Sequence, residues 1–413
     1  MLFVQKFGGT SVGSLERIRS VARRVLRTRQ GGHRVVVIVS AMSGETDRLL
    51  GLAHQLSARP DHREVDVLIS TGEQVAAALM ALAIREAGGD AVSFLGHQIH
   101  VHTDSAHSRA RIQSVDATRL LEVVGQDRIP VVAGFQGVDD AGNITTLGRG
   151  GSDTSAVAVA ASLEADRCEI FTDVDGVFTA DPSICAEARK IHRISYEEML
   201  ELASLGAKVL QIRSVEVASR YRVPVHVRSS FNEEEGTMVM AEDESMEKVL
   251  VTGVTLDRND ARITLRALPC RPGIQSEVFR PLGEAGVVLD IIVQNLPQQG
   301  TTDLSFTLPR SDLDAALTIS RRVARELGAG EVVSQDRVAK VSIVGLGMRS
   351  HAGVAQRMFD LLAREGIDIL MITTSEIRVS CVIDPKYGEL AVRALHEGFR
   401  VGAESAPTER PCS

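Results

Sequence analysis

Residues 147–155, Leu-Gly-Arg-Gly-Gly-Ser-Asp-Thr-Ser, are the stretch of the sequence richest in chemistry. Three glycines, Gly148, Gly150 and Gly151, let the backbone turn sharply and approach a ligand closely. The Ala/Val-rich run 156–163 follows at once and predicts a buried helix. A glycine turn entering a helix presents free N–H groups and a positive dipole end, which suits phosphate. Arg149 adds a planar fork that grips a carboxylate or phosphate at two points. Standing alone, the stretch is equally an ordinary loop in which Ser152 or Asp153 caps the helix.

Other reactive residues fall at corresponding places in the chain. Residues 2–7 read as a strand with Lys6 near its end, followed by Gly8-Gly9-Thr10-Ser11. A helix is expected over 14–29, with Leu15, Ile18, Val21, Ala22, Val25 and Leu26 at helical spacing. The β-branched run 35–39 predicts a strand covered on both faces and ends in Ser40 to Thr46. Helices follow, interrupted near Ser70-Thr71-Gly72-Glu73. Strand 129–133 leads into Gly134-Phe135-Gln136-Gly137, and strand 168–172 into Asp173-Val174-Asp175-Gly176. This alternation predicts an α/β fold, a three-layer αβα sandwich, over the first 230 or so residues. In such sheets ligands sit beyond the carboxyl ends of the strands, where all these loops fall.

Composition narrows the classes. A chain of 413 residues, 44% hydrophobic and 24% charged, is that of a globular protein with more than one domain. The net charge of -8 argues against nucleic acid or an anionic membrane as partner. Five scattered cysteines without a C-x-x-C pair predict a reducing, cytoplasmic setting and no thiolate metal site. Neither a leader nor an apolar run of membrane length is read from the sequence.

From residue 243 the composition shifts and a repeat begins. Gly273, Phe279, Leu282 and Gly286 recur 80 positions later as Gly353, Phe359, Leu362 and Gly366. Each copy predicts a ferredoxin-like βαββαβ module, and a duplicated small module reads as a regulatory pair.

Taken together, these motifs resemble the aspartate kinases of the amino-acid-kinase family. The resemblance rests on Lys6-Phe7-Gly8-Gly9-Thr10-Ser11, Ser40 to Thr46, Thr71-Gly72-Glu73, Gly134 to Gly137, Arg149 to Thr154, and Asp173 to Pro182. It extends to paired C-terminal ACT domains and implies a catalytic domain over 1–235, a linker over 236–250, and ACT domains over 251–337 and 338–413. The implied reaction is ATP plus L-aspartate giving ADP and 4-phospho-L-aspartate, the first step of lysine, threonine and methionine biosynthesis. By resemblance, Lys6 neutralises the transferring phosphoryl group with the Gly8 and Gly9 N–H groups, and Asp153 holds Lys6. Arg149 clamps the substrate α-carboxylate and Glu73 its α-ammonium, while Ser40, Thr46, Gly134, Phe135 and Ser152 complete the aspartate pocket. Thr172, Asp173, Phe178, Asp181 and Lys208 line the ATP site, and Mg²⁺ bridges the phosphates without a metal cage of protein ligands. Lysine, threonine or both are the expected effectors, at Gly273, Gln294, Asn295, Thr302 and Asp303 in the first ACT copy. In the second copy the counterparts are His351, Gly353, Thr374, Ser375 and Glu376. A homo-oligomer through the ACT domains is expected, or assembly with a regulatory subunit from an internal start at Met238, Met240 or Met246.

Four positions depart from the family pattern: Phe178 replaces the usual Tyr, Ser183 an Arg, Cys270 an acidic residue and Ala352 a Pro. The alternatives are another kinase of this fold, acting on acetylglutamate or glutamate, or a silent amino-acid sensor. His97, His100, His102 and His107 lack cysteine or paired carboxylate neighbours in sequence and are read as solvated, not as a zinc site. Gly345-x-Gly347-x-x-Ser350 imitates a dinucleotide turn but has too little chain after it for a Rossmann domain.

Overall fold

The opening strand β1 (Leu2–Phe7) is buried at every position. In the computed structural model, which describes residues 1–207, 209–244, 246 and 248–402, it lies inside an eight-stranded sheet. After it come α1 (Leu15–Gln30), β2 (Arg34–Val39), α2 (Glu45–Leu56), α3 (His62–Glu86) and β3 (Ala91–Phe94). The chain continues through β4 (Val101–Thr103), β5 (Ile112–Val115), α4 (Thr118–Gly125), β6 (Ile129–Ala133), β7 (Gln136–Val138) and β8 (Ile144–Thr146). Next are α5 (Gly151–Ser162), β9 (Arg167–Thr172), β10 (Arg193–Ser195), α6 (Tyr196–Ser204), α7 (Ile212–Tyr221), β11 (Val225–Ser229) and β12 (Thr237–Met240).

The sheet order is β10-β12-β11-β9-β1-β2-β6-β3, and every pairing is parallel except β11 with β12. Side-chain alternation decides which residues reach the site. Phe7 joins the core built with Ile18 and Val21 of α1 and Met80 of α3, whereas its neighbour Lys6 faces α5. Ser14 starts α1 by accepting from the Arg17 N–H, and Ile18, Val21, Ala22 and Val25 then form its buried stripe. By contrast α5 has no polar face: every residue from Gly151 to Ala160 is buried.

Two expectations need correction. Helix α3, at 25 residues, is long and apolar enough to cross a membrane by length and composition, which the sequence reading missed. Its Asp66 and Glu73 are buried within the protein, so it serves as a core helix. The segment expected to be a linker contains β12, which pairs with β10 and β11 and belongs to the eight-stranded sheet.

Residues 1–178 and 190–246 form one compact unit; residues 179–189 join the chain after 246 in the second. That unit contains β13 (Gly253–Pro269), α8 (Ile274–Glu284), β14 (Ile292–Gln294), β15 (Thr301–Pro309) and α9 (Leu313–Leu327). It continues with β16 (Val332–Val344), α10 (Val354–Arg364), β17 (Ile369–Thr374), β18 (Arg378–Ile383) and α11 (Gly388–Gly398). Its six strands form one antiparallel sheet, β14-β15-β13-β16-β18-β17. Helices α8 and α10 are each 11 residues long and start at Gly273 and Gly353, with φ of 86° and 88°, so the 80-residue repeat is structural. The two copies interlock, however. Val254 at the start of β13 packs in the second core, while Ile263 and Leu265 further along pack in the first. The expected boundary at 337/338 thus falls inside β16, a strand that serves both cores.

Candidate active site

Lys6 and Asp153 form the centre. Lys6 Nζ lies 2.6 Å from an Asp153 carboxylate oxygen, and the two residues are only 8% and 9% exposed. Asp153 stands in the first turn of α5, where the helix dipole favours an anion. Gly8 runs so close to the ammonium that a Cβ there would sit 3.4 Å from Nζ. Its N–H donates to the Phe171 carbonyl at 3.2 Å. Gly9 allows two loops to meet: a Cβ would lie 3.0 Å from the Ala41 carbonyl, and Gly9 O accepts from the Ser43 N–H.

The aspartate-side residues gather on the ends of β2 and β6 and the start of α5. The Ser40 N–H donates to Phe7 O, and half-buried Thr46 is the second residue of α2. Gly134 approaches Ser152 closely, since a Cβ would lie 3.0 Å from the serine Cβ. Phe135 adopts a left-handed φ of 68° and donates its N–H to Ser155 Oγ at 3.0 Å. Its ring packs against Leu49, Ala53, Val65 and Ile69 of α2 and α3. Arg149 is exposed between Gly148 and Gly150, whose φ values are 76° and 68°, and makes no ion pair among the described residues.

Glu73 differs from a surface carboxylate in every respect. It is 3% exposed; Oε1 accepts from the Ala41 N–H at 2.9 Å, and Oε2 is buried without a hydrogen-bond partner among the described residues. Burial pushes its pKa up to about 7, and the Ala41 hydrogen bond only partly offsets that shift. A buried acceptor without a donor is suited to an incoming ammonium.

On the nucleotide side, Thr172 Oγ1 donates to the exposed Asp173, and Phe178 bridges to Lys190. Asp181 accepts from both Ser183 N–H and Ser183 Oγ, at 2.9 and 2.7 Å, and groups with the second unit. Lys208 lies outside the described residues. Among the described residues no group of three or more His, Cys, Asp or Glu could hold a metal ion. Of the histidines read as solvated, His102 hydrogen-bonds the exposed Asp140 at 2.9 Å and His107 the buried Asp66 at 3.0 Å.

Residues 1–229 match the amino acid kinase family, and residues 341–399 match an ACT domain. An aspartate kinase of Stutzerimonas stutzeri is 54% identical over 98% of this chain and 99% of its own. The chain belongs to the aspartate kinases. Among solved structures, E. coli aspartokinase III in complex with aspartate and ADP superposes with a TM-score of 0.80 at 26% identity, over 96% of this chain and 99% of that one. The same protein in complex with lysine and aspartate gives 0.78 at 27% identity, over the same shares.

Within this aspartate kinase the regulatory residues differ in availability. Thr302 is buried and donates to Asn295 O, and Asp303 accepts from the Ala267 N–H at the β13 bulge, so both serve the sheet. Gln294 Oε1 accepts from Gln275 on α8. Asn295 donates its backbone N–H to Asp303 O. In the second copy, His351 Nδ1 lies 2.7 Å from Gly347 O, Glu376 pairs with Arg349 at 3.7 Å, and Ser375 N–H bonds Arg378 O. Thr374 ends the edge strand β17. Sequence reasoning overlooked Asp66, Ser155 and the Ala41 N–H. Only Asp66 left a signal, a carboxylate within an apolar helical stripe, seven positions before Glu73.

Proposed function

We infer that the chain transfers a phosphoryl group from ATP to the β-carboxylate of L-aspartate, with its activity regulated through its ACT domains. We propose the following residue assignments. Lys6 faces the transferring phosphoryl group, and Asp153 fixes its ammonium. Arg149 takes the substrate α-carboxylate and Glu73 the α-ammonium; Ser40, Thr46, Gly134, Phe135 and Ser152 shape the remaining pocket. The observation that carries this reading is the pairing of opposite needs among the described residues: a buried Glu73 oxygen without a donor, and an exposed Arg149 without an anion. An α-amino acid supplies both. Its β-carboxylate is already ionised near neutral pH, so attack requires no general base. The chain's own contribution is then positioning and charge neutralisation.

Thr172, Asp173 and Phe178 line the nucleotide in this reading, with Lys208 as a further contact. Mg²⁺ bound together with ATP would supply charge neutralisation at the phosphates, beside the ammonium of Lys6. Lysine and threonine are the proposed effectors, the ACT edge strands the proposed oligomer contact, and the cytoplasm the proposed compartment. Arg149→Lys tests the central assignment, because it keeps the charge and loses the fork. Aspartate KM should rise about tenfold, with ATP KM within twofold. Equal rises in both would sink it, and phosphorylation of glutamate or acetylglutamate in preference to aspartate would sink the pocket as a whole.

A further inference from the structure

We propose that Asp66 is a positioning residue for the substrate clamp, fixing the Arg149 loop to the helix that carries Glu73. The proposal rests on the assignment of Arg149 and Glu73 to the two ends of aspartate. Asp66 is fully buried, yet no cation of Lys or Arg pairs with it among the described residues. Donors converge on its carboxylate instead. The Thr146 N–H reaches one oxygen at 3.0 Å and Thr146 Oγ1 the other at 2.6 Å. The Ser108 N–H lies 3.0 Å from both oxygens, Ser108 Oγ 3.4 Å from one, and His107 Nδ1 3.0 Å from the other. A buried carboxylate is costly unless it is fully hydrogen-bonded, and an apolar residue would fill the same helical stripe.

The place these donors come from gives the carboxylate its purpose. Thr146 ends β8, three residues before Arg149, and its carbonyl accepts from the Ala110 N–H. Ser108 O lies against Gly148, where a Cβ would be only 2.9 Å away. Asp66 therefore ties together both segments that border the Arg149 turn. Glu73 lies two helical turns further along the same stripe of α3, about 10 Å along the axis. Between them, the Ser70 carbonyl accepts from Gln136 Nε2, beside the Phe135 pocket wall. One rod thus sets the spacing between the two ends of the clamp.

Asp66→Asn keeps the shape but turns an N–H₂ toward at least one donor. A folded Asp66→Asn enzyme, checked by thermal unfolding, should show aspartate KM raised ~10-fold and ATP KM within twofold. Thr146→Val, a milder change that removes only the hydroxyl, should raise aspartate KM ~3-fold, and the double variant should be no worse than Asp66→Asn alone. Should Asp66→Asn not fold, Thr146→Val decides by itself. Unchanged aspartate KM, or equal rises in both KM values, overturns the proposal. Arg149→Lys runs in parallel: if its aspartate KM rises while Asp66→Asn is silent, only the positioning role fails. If Arg149→Lys is itself silent, the clamp assignment fails and the proposal with it.

Discussion

Lys6 and Asp153 form a buried ion pair of the kind that is expensive to assemble and more expensive to break. Lys6→Met should lower kcat on the order of a thousandfold and cost about 3 kcal/mol, because Asp153 is left charged and unpaired. The double variant Lys6→Met/Asp153→Asn should regain most of that stability and none of the rate; stopped assays beside thermal melts separate the two. Glu73 gives a pH signature. Its folded pKa of about 7 stands above the ordinary 4.5, so between those values the folded chain holds a proton that the unfolded chain has lost. The associated stability is whole below pH 4.5 and is lost as pH rises to about 7. Glu73→Gln should therefore melt higher than the parent at pH 8, by up to about 3 kcal/mol. An ammonium beside Glu73 favours the carboxylate, so aspartate binding near pH 7 should release protons and aspartate KM should fall from pH 6 to 8. Calorimetry in buffers of different ionisation heat measures the release, and the same release from Glu73→Gln would refute the assignment. The lysine, arginine and aspartate of the site were legible because each sits beside glycines at a strand or helix end. The state of Glu73 was not, because its burial depends on α3 meeting the Ala41 loop, a contact across 32 positions.

At the scale of elements, the start of α5 is tightly constrained. Gly150 has a left-handed φ of 68°, and a Cβ there would lie 1.6 Å from Gln211 Cγ at the cap of α7. Gly150→Ala should thus cost about 3 kcal/mol, from backbone strain and overpacking together, and raise aspartate KM by shifting Arg149. Gly142→Ala has a similar φ of 77° but open space around it, and should cost about 1 kcal/mol with unchanged KM. Thermal melts of both variants distinguish space from strain; equal losses would contradict the packing account. The parallel core strands were legible because unbroken Val/Ile runs are the mark of burial on both faces. Strand β12 was hidden by the glutamates on either side of it, Glu233 to Glu235 and Glu242, which read as solvated linker. The sharing of β13 and β16 between two cores left no local trace, since a long alternating strand looks the same whether it serves one core or two.

For the whole molecule, the duplicated sheet leaves β14 and β17 as edges, and their Ile292, Leu370 and Ile372 are exposed. Such edges favour self-association, and effectors between them would act by binding one assembly better than another. Gln294→Ala should relieve inhibition by lysine or threonine while leaving uninhibited kcat intact. Asp303→Ala is a poorer probe, because it also frees the Ala267 bulge. Inhibition of the Gln294→Ala enzyme at unaltered effector concentration would rule that contact out. Residues 179–189 have a different consequence. Ala180 and Cys185 belong to the core that holds Met358, Leu362 and Leu395, and Thr179 Oγ1 meets the buried His396 ring at 2.9 Å. The two units are thus stitched by the chain itself, and no single scission yields both intact. A polypeptide begun at Met246 would be born without the eleven residues that finish its own interior, and a full-length copy would have to lend them before it could stand as a partner.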